Sequence, residues 1–203
     1  MKYEKGQIAL ENGIKNDWII TNGIGGYSSS TILGINTRKY HGLLVVPFQA
    51  PGGRHLILSK VDESFESGGI EYPLYSNIGK NYISEGYKNL VKFEKEYIPI
   101  FTYEVDGAII KKFICMDYGK NTVCILYHIQ NNEKRTKLTV TPIVHFRDFH
   151  TTTPNATFTL QQEVKERKVK VIVNGQSSKP IYFHSSEGIY KEHKNLYIKK
   201  INN

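Results

Sequence analysis

The sequence predicts an all-β fold, a large two-layer antiparallel β-sandwich, on three observations. Apolar residues recur with a period of two along most of the chain, and no long segment carries a convincing 3.6-residue period. Turn signals such as Asp106-Gly107 and Asn174-Gly175 punctuate these runs at short spacing. The chain is also Tyr-rich, with 14 Tyr against a single Trp. Tyr suits a sheet surface, where the ring packs and the hydroxyl stays wet. Many short strands separated by turns are the pattern of a sandwich.

The elements follow in order. The stretch Asp17-Trp18-Ile19-Ile20-Thr21-Asn22-Gly23-Ile24-Gly25-Gly26-Tyr27 and the block Asn36-Thr37-Arg38-Lys39-Tyr40-His41-Gly42-Leu43-Leu44 are the densest in unusual residue types. Ordinary core strands do not need such a mixture, so a shaped surface is expected there. Residues 43–47, 55–64 and 69–74 read as strands, with Gly52-Gly53 and Ser67-Gly68-Gly69 as turns. Residues 75–90 are polar and rich in Asn, Gly and Ser, and predict a long surface loop. Residues 100–105 and 108–116 flank Asp106-Gly107, a pair that suits the two positive φ values of a type I′ hairpin turn. Turns at Tyr118-Gly119-Lys120-Asn121 and Asn131-Asn132-Glu133-Lys134 lead into strands at 122–130 and 136–146, so these four segments predict an antiparallel meander. Strands at 157–163, 169–173 and 180–184 complete the pattern. The chain stops at Lys200-Ile201-Asn202-Asn203, straight after a strand-like segment, which suggests a boundary inside a longer protein.

Composition narrows the function classes. A length of 203 residues suits one domain, and 39% hydrophobic content is enough for a core. The net charge of +8 comes from scattered Lys and Arg; the densest groups are Glu163-Val164-Lys165-Glu166-Arg167-Lys168-Val169-Lys170 and Tyr197-Ile198-Lys199-Lys200. No basic groove lined with aromatics stands out, so nucleic acid is not an expected partner. No segment approaches the ~20 apolar residues of a membrane span, and the first six residues lack an apolar signal core. A cytoplasmic location and no membrane partner are therefore expected. Asn155-Ala156-Thr157 matches a glycosylation sequon that such a compartment leaves unused. Cys115 and Cys124 flank a turn and come near each other across a hairpin. They lack zinc-site spacing and read as two reduced thiols, so neither metal nor cofactor is expected.

Three constellations are candidates for a site. In Asn22-Gly23-Ile24-Gly25-Gly26-Tyr27 a dinucleotide fingerprint fails, because Ser28 occupies the third glycine position. Two readings stay open: a tight turn with positive φ, or a loop that admits a ligand or a second domain close to the backbone. Arg38, Tyr40 and His41 are either an ion-pair partner and a satisfied histidine, or a surface that meets a sugar or another domain. Trp18 and Tyr27 extend that platform in the second reading, although a lone Trp is more often a core residue than a ligand site. In His145-Phe146-Arg147-Asp148-Phe149-His150, Arg147 and Asp148 form an ion pair that pins a loop, or His150 works near neutral pH. Asp62 and Glu63 point to opposite faces of a strand and make no carboxylate pair for glycoside hydrolysis. A Gly-x-Ser-x-Gly elbow is absent.

These stretches, together with Leu58-Ser59-Lys60-Val61-Asp62-Glu63 and Pro142-Ile143-Val144-His145-Phe146-Arg147-Asp148-Phe149-His150, resemble the N-terminal domain of bacterial and archaeal glycogen debranching enzymes. The resemblance covers about residues 10–185, and Arg-Lys-Tyr-His-Gly-Leu-Leu is its most specific block. Lys39 is a departure, since family members often carry a second Arg there. The resemblance implies a large β-sandwich followed by an α/α-toroid catalytic domain. That second domain, absent here, carries the carboxylates of an amylo-α-1,6-glucosidase. The chain is accordingly expected to be one N-terminal domain of a longer enzyme, with no catalytic residue of its own. Its expected partners are the catalytic domain and α-glucan, as glycogen or malto-oligosaccharide. Trp18, Asn22, Gly25, Gly26, Tyr27, Arg38, Tyr40, His41, Arg147, Asp148 and His150 are the candidate glucan-rim or domain-interface residues. An autonomous α-glucan-binding module is the alternative.

Overall fold

The structure, a computed structural model, describes residues 1–79, 82–131, 134–152 and 159–192. The expected sequon, the start of the strand at 157–163, part of the turn at 131–134, and the basic group and chain end near residue 200 lie outside the described residues. In chain order the strands are β1 (Lys2–Glu4), β2 (Asp17–Thr21), β3 (Tyr27–Thr31), β4 (Gly42–Gln49), β5 (Gly52–Ser67), β6 (Ile70–Pro73), β7 (Ser76–Ile78) and β8 (Ile83–Glu85). They continue as β9 (Leu90–Lys95), β10 (Pro99–Val105), β11 (Ala108–Met116), β12 (Val123–Gln130), β13 (Thr136–Asp148), β14 (Leu160–Lys165), β15 (Lys168–Val173) and β16 (Ile181–His184). A short helix, α1 (Leu10–Gly13), and two 3-10 turns complete the described elements. Among the described residues no helix is long and apolar enough to cross a membrane.

The expected all-β sandwich is present. One sheet has the order β1-β9-β10-β11-β12, and the other has β13-β5-β4-β3-β2 with β6 also on β5. Their inner faces meet in one apolar core: Trp18, Leu43, Leu58, Val61 and Phe65 from one sheet, and Phe93, Phe101, Tyr103, Ile110 and Ile114 from the other. Phe101 stands edge-on to both Trp18 and Phe93, with ring centroids 6.3 and 4.9 Å away. Such T-shaped contacts match ring edges to faces and add to the gain from burial alone. A small third sheet, β14-β15-β16, closes a second core. Val169, Val171, Val173 and Ile181 pack there on Val46 and Ile57, which point away from the first core.

β5 runs through both cores, and a bulge lets it do so. Its register with β13 shifts between Ile143 and Val144, leaving Ser59 as an extra residue. Before it Leu58 faces the first core, and after it Val61 and Phe65 do, so the inward parity switches at Ser59. Asn36 holds this irregularity, donating from Nδ2 to the Ser59 carbonyl at 2.9 Å and to its hydroxyl at 3.1 Å.

Three expectations need correction. The four-strand meander is broken: β10, β11 and β12 are consecutive neighbours, but β13 crosses to the other sheet beside β5. Local alternation cannot tell which sheet a strand joins, because both layers have the same period. Residues 75–90 are not one irregular loop; they hold the β7–β8 hairpin and a 3-10 turn, Gly86–Asn89. The buried Lys60 ammonium organises this segment, donating to the Ser76 carbonyl and the Asn77 side chain at 2.8 and 2.9 Å. Gly52-Gly53 is also no separate turn, since both residues open β5. The Asp106-Gly107 hairpin is as predicted, with φ of 49° and 78°.

Phe101 is 1% exposed and central to the first core. Phe101→Ala is expected to lower unfolding stability by about 3–5 kcal/mol, read as a drop in the urea midpoint with little change in slope.

Candidate functional site

The glycine-rich loop between β2 and β3 is built on Asn22, which is fully buried. Its Oδ1 accepts the backbone N–H groups of Ile24 (3.2 Å) and Gly26 (2.8 Å). Its Nδ2 donates to the Lys120 carbonyl and to Asn121 in the turn between β11 and β12. Gly119 closes the joint by donating its N–H to the Asn22 carbonyl at 2.7 Å. One amide thus satisfies a turn and ties the two sheets together. The glycines are needed where neighbours crowd the loop. Gly25 has φ of 96°, and a Cβ there would meet the Pro51 carbonyl oxygen at 2.7 Å.

The second segment leads from β3 into β4. Arg38 pairs with Asp17 at 3.0 Å, and the buried His41 ring lies 3.5 Å from the same carboxylate. His41 Nδ1 accepts the Thr37 N–H at 3.1 Å. The neutral ring therefore carries its proton on Nε2, facing Asp17. Burial pushes the His41 pKa below its usual value, with Asp17 opposing the shift and Arg38 adding to it. Tyr27 donates its hydroxyl proton to the Tyr40 carbonyl at 2.7 Å. Desolvation raises the Tyr27 pKa to about 12, against the pull of Arg54 and Arg147.

The end of β13 completes the assembly. Arg147 makes no ion pair with Asp148; its guanidinium donates to the carbonyls of Lys39 and Thr151, both at 2.6 Å, and to those of Asp148 and Phe149. A planar fork suits this, since its two terminal nitrogens reach oxygens on two separate segments. Asp148 instead accepts the His150 N–H at 2.8 Å. Lys39 donates to the His150 carbonyl, and the Tyr40 hydroxyl lies 3.3 Å from the His150 ring. Tyr40 also packs on Phe149, with centroids 5.3 Å apart.

Eight of the eleven expected residues, Asn22, Gly25, Gly26, Tyr27, Tyr40, Arg147, Asp148 and His150, are thus linked through Arg54, Lys39 and Phe149, whereas Arg38 and His41 sit on Asp17, at the other end of β2 from Asn22. Trp18 lies apart from this surface: it is 2% exposed, and its indole N–H donates to the Thr31 carbonyl. Sequence reading missed Arg54, which donates to the Gly25 carbonyl at 2.7 Å and lies over the Phe149 ring. It also missed Phe149 and Lys39 as members. Arg54 follows a glycine pair at a hairpin, but no sequence signal aims it at a loop 29 residues away.

The surface is open rather than enclosed. A cavity of about 20 Å³ between the sheets, lined by Glu63, Tyr103 and Lys112 among others, has room for about one water. At the exposed rim stand the Lys39 ammonium, the Tyr40 ring and hydroxyl and the His150 ring. These can donate and accept hydrogen bonds and offer an aromatic face. Of the carboxylates here, Asp17 pairs with Arg38 and lies beside the His41 ring, and Asp148 accepts the His150 amide. Among the described residues no group of three or more His, Cys, Asp or Glu could hold a metal ion.

Two outcomes test this geometry. Arg147→Lys leaves carbonyls without a donor and is expected to cost about 1–3 kcal/mol, with faster hydrogen exchange at the His150 amide. Acid should weaken the fold through His41 and His145. Burial, then Arg147, lowers the His145 pKa from 6.5 to about 4. A depressed folded pKa means that the unfolded chain takes up protons first, so stability is full above about 6.5 and falls as pH drops toward about 4. Urea midpoints across that window should fall with pH, and His145→Gln should flatten the slope.

The comparison with family models agrees with this architecture. A family described as Glycogen debranching enzyme N terminal matches residues 16–201. No curated protein and no solved structure matches the chain. The match takes in both sheets' central strands and every segment of the joined loops, and the chain belongs to the glycogen debranching enzyme N-terminal domain family.

Proposed function

We propose that this chain is the non-catalytic N-terminal module of a glycogen debranching enzyme, which supports docking of the catalytic domain and shapes the α-glucan cleft. The observation that carries the reading is the locked rim. Asn22, Arg54 and Arg147 each donate to a backbone carbonyl of a neighbouring loop, so they hold a surface in shape and leave Lys39, Tyr40 and His150 presented on it. A rigid, polar and aromatic surface suits a permanent neighbour or a polyhydroxylated chain. The engaged carboxylates support a non-catalytic role, because general acid and base groups must face the scissile bond. The amylo-α-1,6-glucosidase chemistry then belongs to the catalytic domain of the parent enzyme, in glycogen catabolism.

One observation favours an autonomous α-glucan-binding module as the second reading. Tyr40 is 39% exposed and its ring is flanked by Lys39 and His150, an arrangement that suits stacking on a pyranose ring.

Calorimetric titration of the folded chain with a linear malto-oligosaccharide separates the two. The docking role predicts no saturable heat and no glucose released from branched glucan. Saturable binding, weakened about tenfold or more (~1.4 kcal/mol) in Tyr40→Ala but not in Arg38→Ala, would replace it with the binding module. Release of glucose by the chain alone would sink both.

A further inference from the structure

The β11–β12 hairpin holds the two cysteines of the chain in direct register. Cys115 pairs with Cys124 across the strands, one step before the final pair, Met116 and Val123. Opposed residues of an antiparallel ladder project to the same face. That face points away from the first core, since Ile110 and Ile114 fill the inward positions of β11. Cys124 is exposed, Cys115 is partly buried, and both are free thiols. Opposed Cα atoms lie about 4.5 or 5.5 Å apart, depending on the pair type. A disulfide spans Cα separations of about 4.4–6.8 Å, so the Cα separation of either pair type lies within reach of the bond.

We propose that Cys115 and Cys124 form a reversible redox pair that closes to a cross-strand disulfide with low-molecular-weight disulfides. The Cys124 thiolate, its proton released to solvent, attacks one sulfur of the oxidant; that S–S bond breaks, one small thiolate leaves and a mixed disulfide forms. The Cys115 thiol then loses its proton and attacks the Cys124 sulfur, displacing the second small thiolate. In sum, two protein thiols lose two protons and two electrons, and the oxidant is reduced to two thiols. The order follows exposure, because Cys124 is the accessible sulfur. Burial, with neighbouring Cys124, raises the Cys115 thiol above its usual pKa, which suits a resolving rather than an attacking role. A bond held between two strands in an exposed position belongs to the reducible class.

The pair has a structural consequence. Just beyond it lies the turn whose Gly119 N–H and Lys120 carbonyl hold Asn22. Oxidation therefore ties the base of the turn on which the glycine-rich loop is anchored.

The test uses the full chain, incubated with glutathione disulfide under native conditions, then alkylated and weighed by mass spectrometry. The expected main product is two hydrogens lighter, resists alkylation at both cysteines, and returns to the dithiol with dithiothreitol. Cys115→Ser should stop at a stable glutathione adduct on Cys124, while Cys124→Ser should react at least about tenfold more slowly. A wild-type chain that accumulates glutathione adducts, forms chain-to-chain disulfides or keeps both thiols overturns the proposal. The wild-type product decides this alone, whatever the variants do to folding.

Discussion

β5 is the strand on which the other parts depend. It pairs with β13 along one edge and with β4 and then β6 along the other. A strand buried on two sides must send alternate residues into two different cores, and one slip of register would turn every side chain over. The bulge at Ser59 resolves the conflict by switching parity once, between the part that carries the third sheet and the part that faces β9–β11. Asn36, in the motif-rich block, holds that bulge. A residue that reads as part of a surface motif therefore also serves the register of the sandwich.

Beyond its bulge, β5 carries buried charge. Glu63, 2% exposed, accepts from Lys112 and from the Tyr127 hydroxyl on the facing sheet, both at 2.6 Å. Lys60 pairs with Asp62 at 2.8 Å while donating to the β7 segment. Burial pulls the Lys60 pKa down and its carboxylate neighbours oppose this. Desolvating such groups offsets much of their attraction, so they add little net stability while intact. Losing one partner strands the other, which favours the single arrangement of sheets that satisfies all of them. The same logic applies at the joined loops, where Asn22 and Arg147 have oxygen or N–H partners in several backbone segments.

Much of this fold was legible in the sequence because its cause is local. Strand alternation, the Asp106-Gly107 hairpin and the positive φ at Asn174 and Gly175 follow from side-chain period and turn chemistry alone. The opposition of Cys115 and Cys124 across a hairpin is equally local. The unusual composition of residues 17–44 marked these segments, and eight candidate residues are linked by hydrogen bonds and ring contacts. Their partners were not legible. A pair between Arg147 and Asp148 next door was one reading of the sequence, yet Arg147 serves Lys39, whose carbonyl is 108 residues away. Trp18 sits among surface-type residues in the chain but fills the core between the sheets.

The sequence by itself determined the strands, most of the turns and the family, since each is written in period, local conformational preference and motif spacing. Tertiary structure alone decided which sheet β13 joins, how the segment after β6 folds around Lys60, and which loops Asn22, Arg54 and Arg147 hold together. The physical reason is that buried polar groups must find partners wherever packing leaves them. Those partners come from segments far apart in the chain, and local pattern carries no record of the distance.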